Sequence, residues 1–150
     1  MKYINVGELV KQHKCHEGVD TEFDSFILDE EKLIQVMETI VEEAASETNE
    51  GLVVDFHSCD FFPQEWFDLV LVLRSETAVL YDRLTARGYS DKKRNENMEC
   101  EIMQVVLEEA RESYDQEIVH EVPSNTVEDI HSNVERVQLW VEQWIQDNTT

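Results

Sequence analysis

Leu52-Val53-Val54-Asp55-Phe56-His57-Ser58-Cys59-Asp60-Phe61-Phe62-Pro63 is the stretch whose reading decides the fold. Its first five residues form a short apolar run that closes around a carboxylate and gives way to turn-forming and aromatic residues. A run this short, without strict alternation, predicts a strand buried on both faces, as in a parallel sheet covered by helices. A carboxylate at the end of such a strand stands where open α/β sheets meet their ligands.

Two more runs read the same way, Leu69-Val70-Leu71-Val72-Leu73 and Ile118-Val119-His120-Glu121-Val122, and Lys2-Tyr3-Ile4-Asn5-Val6 is a fourth candidate. Between them lie helical faces. Leu33, Ile34, Met37, Ile40, Val41 and Ala44 fall on one stripe, with Asp29 placed to cap it. Val79, Leu80 and Leu84 form a shorter stripe stopped by Gly88; Met98, Ile102, Val105, Val106 and Ala110 form a third. Ile130, Val134, Val137, Val141 and Trp144 form the last, preceded by Pro123 and a capping Ser124 or Asn125. Strands alternating with helices predict an α/β fold: a parallel sheet with helices on both faces and right-handed crossovers.

Composition narrows the partners. The chain has 150 residues, enough for a single domain burying roughly 70% of its unfolded surface. Asp and Glu number 34 against 12 Lys and Arg, a net charge of -22 that repels nucleic-acid backbones and anionic membranes and attracts basic proteins. Cys15, Cys59 and Cys100 lack paired spacing, which fits a reducing compartment, and no apolar run approaches 18 residues. Against the acidic background, Arg83, Arg87, Lys92, Lys93 and Arg94 form a basic cluster, to which helix-end cations suited to the dipole contribute only in part.

Three segments, in this order and spacing, resemble the adenylate kinase isoenzyme 6 family, also described as coilin-interacting nuclear ATPases. They are Tyr3-Ile4-Asn5-Val6-Gly7-Glu8-Leu9 with Ile27-Leu28-Asp29-Glu30, then Val53 to Pro63, then Tyr81-Asp82-Arg83-Leu84-Thr85-Ala86-Arg87-Gly88-Tyr89-Ser90-Asp91-Lys92-Lys93. The resemblance runs from Lys2 to the tryptophans near the C-terminus. It implies a P-loop kinase-like fold over 1–150, an AMP-binding region at 11–34 and a lid at 86–96. It also implies phosphoryl transfer from ATP to AMP with magnesium, some ATPase activity, and a role in small ribosomal subunit maturation. Residence in nucleus and cytoplasm and association with a basic small-subunit ribosomal protein come with it.

By the same resemblance Asp55 holds magnesium through water, a task that suits one hard carboxylate because magnesium usually keeps several waters. The competing reading is a strand-end carboxylate that reaches solvent or caps a loop. His57 matches a histidine of the motif; it orients a water or a phosphate, or bonds to backbone. Ser58 stands where the family has glycine, and Cys59 reads as packing. Arg83, Arg87 and Lys93 are implied ATP contacts, since guanidinium groups grip phosphate oxygens in pairs. Gly7 and Lys11 fall in the AMP-binding part, with lysine where the family often has arginine; an ordinary solvated lysine is the alternative. His13, Cys15 and His16 offer ligand atoms on one short loop without the paired spacing of structural zinc sites. Trp140 and Trp144 read as core or as a partner face.

Kinases of this fold cradle phosphates in a G-x-x-x-x-G-K-[ST] loop between a strand and a helix. None of the glycines, Gly7, Gly18, Gly51 and Gly88, begins such a loop. The resemblance therefore implies that the first strand, P-loop and first helix, about 20 residues, are absent. That strand is central in the family, between the strand ending at Asp55 and the one beginning near Leu69. Its loss predicts two open edges, exposed Val and Leu side chains, poor folding or aggregation, and no catalysis. The second reading is a non-catalytic acidic module that binds a basic ribosomal protein.

Overall fold

The computed structural model describes residues 1–20, 25–48 and 51–148. In chain order it runs β1 (Lys2–Asn5), α1 (Val6–Gln12), β2 (His16–Asp20), β3 (Ser25–Leu28), α2 (Glu30–Glu43) and β4 (Leu52–Asp55), then β5 (Val70–Arg74), α3 (Thr77–Ala86), α4 (Asp91–Ile102), α5 (Val105–Ser113), β6 (Val119–Pro123) and α6 (Val127–Asn148). The α/β class and all four expected strands are present.

The strands form three separate pairs. β1 and β4 run parallel, with Tyr3 opposite Val53 and Asn5 opposite Asp55. β5 and β6 also run parallel, from Val70 opposite Val119 to Arg74 opposite Pro123. β2 and β3 form an antiparallel hairpin that the hydrophobic pattern did not predict. Among the described residues β4 and β5 have one strand neighbour each, so the expected single sheet is divided between them. The expectation of strands buried on both faces is corrected too. β4 alternates: Leu52 and Val54 pack on the core, while Val53 is 43% exposed; on β5, Leu73 is 57% exposed.

One core gathers Ile4, Val6 and Val10 against Leu33 and Met37 of α2 and Phe62 from the loop after β4. Asp29 caps α2 as its position suggests, its Oδ1 accepting from the Lys32 amide at 3.2 Å. A second cluster joins Val72 of β5 to Leu107 and Ala110 of α5, and Cys59 touches both.

Two helix expectations change. The stripe from Met98 to Ala110 is two helices, α4 and α5, broken at Met103 and Gln104, with Gln104 left-handed at φ 58. In an unbroken helix the Glu101 carbonyl would accept from the Val105 amide. Here it accepts from Gln104 at 3.1 Å and from an Arg74 guanidinium N–H at 3.2 Å. The cap of α6 is Thr126 rather than Ser124 or Asn125: its Oγ1 accepts from the Asp129 amide, while Asp129 Oδ2 accepts from the Thr126 and Asn125 amides. That reciprocal exchange is a capping box with aspartate in the glutamate position.

Candidate functional site

β4 delivers Asp55 to its C-terminal end because the pleat sends Val53 and Asp55 to the same face. Tyr3 of β1 lies on that face as well, and its hydroxyl donates to Asp55 Oδ2 at 2.6 Å. This bond, more than any other influence, holds the phenol above its usual pKa. It also orients the carboxylate and leaves Oδ1 for another partner. Sequence reading missed Tyr3, since nothing local marks a partner 52 positions away.

Beyond Asp55 the chain turns through an aromatic group. The Phe56 and His57 rings lie 4.1 Å apart, and Phe56 meets Phe61 and Phe62 edge-on. Desolvation first, and the Lys93 ammonium second, lower the His57 pKa. The imidazole is neutral near pH 7 and can donate or accept a hydrogen bond. Tyr114, also unmarked in the sequence, donates from its hydroxyl to the Cys59 carbonyl at 2.5 Å and fixes this loop to α5. Ser58 Oγ donates to Asp60 Oδ1 at 3.2 Å.

Arg83 and Arg87 occupy successive turns at the end of α3. Arg83 forks onto the loop after β6, donating to the Ser124 carbonyl at 2.6 Å and the Asn125 carbonyl at 2.9 Å, and to Ser75 Oγ at 3.3 Å. Arg87 is exposed at the C-cap of the helix. Beside Arg83, at the C-terminal ends of β5 and β6, a cavity of about 340 Å³ opens between Arg74, Ser75 and Glu76 on one side and Glu121, Pro123 and Asn125 on the other. It lies at the end of a parallel pair where α/β folds bind ligands.

The segment expected to form the lid turns at Gly88, whose φ of 75° only glycine adopts freely. Ser90 then caps α4 through the Lys93 amide at 3.2 Å. Lys93 lies 4.2 Å from the centre of the Tyr89 ring and Arg94 4.6 Å from that of Tyr81, while Arg94 also pairs with Asp91 at 2.8 Å. Lys92, Lys93 and Arg94 of the basic cluster thus lie in the first turn of α4, and Arg83 and Arg87 at the end of α3.

The other expected residues lie apart from this group. Gly7 and Lys11 sit four apart on α1; a Cβ on Gly7 would stand 3.3 Å from Asn5 Oδ1, the atom that caps that helix. Lys11 is exposed in its last turn. Residues 21–24 of the expected AMP-binding region lie outside the described residues. His13 and Cys15 lie in the short connection between α1 and β2 and His16 opens β2, but Cys15 is buried in the core. Among the described residues no group of His, Cys, Asp and Glu side chains is arranged to hold a metal by itself. Nor is any helix there long and apolar enough to cross a membrane.

Comparison with known proteins follows the same lines. A family described as an AAA domain matches residues 1–104. The chain is 44% identical over 148 residues to an adenylate kinase isoenzyme 6 homolog of Dictyostelium discoideum, covering 99% of this chain and 81% of that protein. It is 44% identical over 135 residues to the Caenorhabditis elegans homolog, covering 90% and 72%. To the Saccharomyces cerevisiae homolog FAP7 it is 42% identical over 147 residues, covering 98% and 72%.

Proposed function

The chain belongs to the adenylate kinase isoenzyme 6 family, with its nucleotide kinase-like function, and from that premise we propose that its site serves magnesium-dependent phosphoryl transfer from ATP to AMP. The observation that carries this reading is Asp55 at the C-terminal end of β4, its Oδ2 held by the Tyr3 hydroxyl and its Oδ1 left for another partner. A strand-end carboxylate, a neutral imidazole and a cationic lid are the parts such a transfer needs beside a phosphate cradle.

The roles divide as follows. Asp55, its Oδ2 held by Tyr3, is the residue that would hold magnesium through water; one carboxylate fits an ion that keeps most of its waters. Magnesium would neutralise phosphate charge there, and every other role falls to side chains. His57 orients a water or phosphate oxygen. Arg87 and Lys93 meet the ATP phosphates, and Arg83 shapes the base side of that site through the loop it holds. Gly7 and Lys11 belong to the AMP side, where lysine supplies charge without a bidentate grip. The ribosome-maturation role, and residence in nucleus and cytoplasm, are the family expectations we attach to this reading.

The 150 residues contain no G-x-x-x-x-G-K-[ST] stretch, so we infer that by themselves they do not transfer phosphate. Among the described residues β4 and β5 each keep an unpaired edge, where a strand bearing that loop would pair. The test is a chimera carrying a strand–P-loop–helix unit ahead of Met1. It should form ADP from ATP only when AMP and magnesium are supplied, and Arg87→Ala should lower kcat by at least a hundredfold. A folded chimera that makes no ADP, or one indifferent to Arg87, overturns the reading. The net charge of -22 favours a second reading, a binding module for a basic ribosomal protein. Salt-sensitive capture of such a protein by the 150-residue chain without nucleotide would support it.

A further inference from the structure

Arg74 closes β5, and its guanidinium is spent on a helix almost 30 positions away. Nε meets the Glu101 carboxylate, Nη2 donates to the Glu101 carbonyl oxygen at 3.2 Å, and Nη1 reaches Glu121 Oε1 of β6 at 3.3 Å. The Arg74 and Glu101 side chains are only 20% and 21% exposed, so the pair is partly shielded from water and salt. Arg111 of α5 extends the group, meeting Glu121 at 3.9 Å and Glu108 at 3.4 Å. The charged group thus joins four elements, β5, β6, α5 and α4, with Arg74 as its contact to the last turn of α4. A cation at the carbonyl end of a helix also complements its dipole.

The same contact accounts for the bend. Arg74 takes an acceptor that an unbroken helix would use for the Val105 amide, and the chain turns through left-handed Gln104, a conformation unfavourable without glycine. We propose that Arg74 is a positioning residue for the lid. By capping Glu101 it breaks the helix at Met103 and Gln104 and pins the C-terminal end of α4 to β5 and β6. The other end, bearing Lys93 and Arg94, turns at Gly88 and rests on α3, with Arg94 against Tyr81 and Thr85. α4 has 12 residues and is about 18 Å long, so the pin fixes one end of the span along which Lys93 is placed. Arg74 touches no reacting atom in this scheme; it sets where the cations of α4 can reach. The assignment of α4 as an ATP lid rests on the proposed function, but the pin does not.

Hydrogen exchange on the 150-residue chain, without nucleotide, separates the two. Arg74→Met should speed exchange at least tenfold in the amides of α4, with α2 and α6 unchanged. Arg74→Lys, which can reach one carboxylate but cannot fork, should restore part of the protection. Adding Gln104→Gly to Arg74→Met should also restore part, because the bend is then no longer strained. Glu101→Gln is the milder variant, decisive where Arg74→Met does not fold; it should give the same local pattern at smaller size. Unchanged α4 rates in both Arg74→Met and Glu101→Gln overturn the proposal. So does a rise spread evenly over α2 and α6 in Glu101→Gln, or a lysine variant no better than methionine. A chimera without kinase activity leaves these outcomes untouched.

Discussion

Cys59 stands between the two hydrophobic clusters, and burial there pushes its thiol up to about 11, with the Glu109 and Asp60 carboxylates adding to the shift. Only the thiolate reacts, and an ordinary cysteine has a pKa near about 8.5. At mildly alkaline pH the Cys59 thiolate is therefore about two orders of magnitude scarcer than that of a free thiol. Iodoacetamide labelling followed by peptide mapping should show Cys59 reacting slower by about that factor, with the difference abolished in urea. Labelling at the free-thiol rate would mean that the loop after β4 opens, and that Tyr114 does not hold the Cys59 carbonyl in solution. The sequence marked Asp55 as a site residue because it ends an apolar run, where α/β sheets meet ligands, and matches the family motif, with a solvent-facing or loop-capping carboxylate as the alternative. It left Tyr3, Arg74 and Tyr114 unmarked, since each acquires its role from a partner brought close only by the fold.

At the scale of elements, what local composition determines could be read, and what distant contacts determine could not. The four parallel strands fall within a residue or so of their apolar runs because a short β-branched run has one stable use. The break between α4 and α5 was hidden: Met98 to Ala110 keeps helical spacing throughout, and the Arg74 guanidinium that meets the Glu101 carbonyl at the break comes from another element. The cap of α6 was misplaced for a different reason, since Ser124, Asn125 and Thr126 are all good capping types. Ser124 continues the strand ladder through its amide to the Arg74 carbonyl at 2.7 Å, and Asn125 Oδ1 accepts from the Glu76 amide at 2.7 Å, leaving Thr126 to start the helix. Thr126→Ala should then cost about 1 kcal/mol, the usual value of a lost N-cap. Ser124→Ala keeps its amide and should cost much less. Urea titration followed by tryptophan fluorescence compares them, and equal losses would place the cap elsewhere.

For the whole molecule, surface area and charge oppose each other. The chain exposes 10399 Å², whereas a compact protein of 17.6 kDa exposes about 7,900 Å². Part of the excess is apolar: Val53 and Leu73 on strands with a free edge, and Ile130 and Val134, 56% and 51% exposed, on α6. Unpaired edges with apolar side chains invite pairing between copies, and a net charge of -22 holds copies apart. That repulsion acts over a Debye length, about 10 Å at 0.1 M salt and about 3 Å at 1 M. The chain should therefore remain monomeric in dilute buffer and associate as salt rises, the reverse of what ion pairing between copies would give. Light scattering across a salt series reads the effect directly. Val53→Lys with Leu73→Lys should move the onset to higher salt by making the strand faces polar, even though each lysine reduces the net negative charge. If repulsion alone governed association, the same pair of lysines would move the onset to lower salt. The direction of that shift decides whether the strands flanking the divided sheet, or the charge of the surface, control how copies meet.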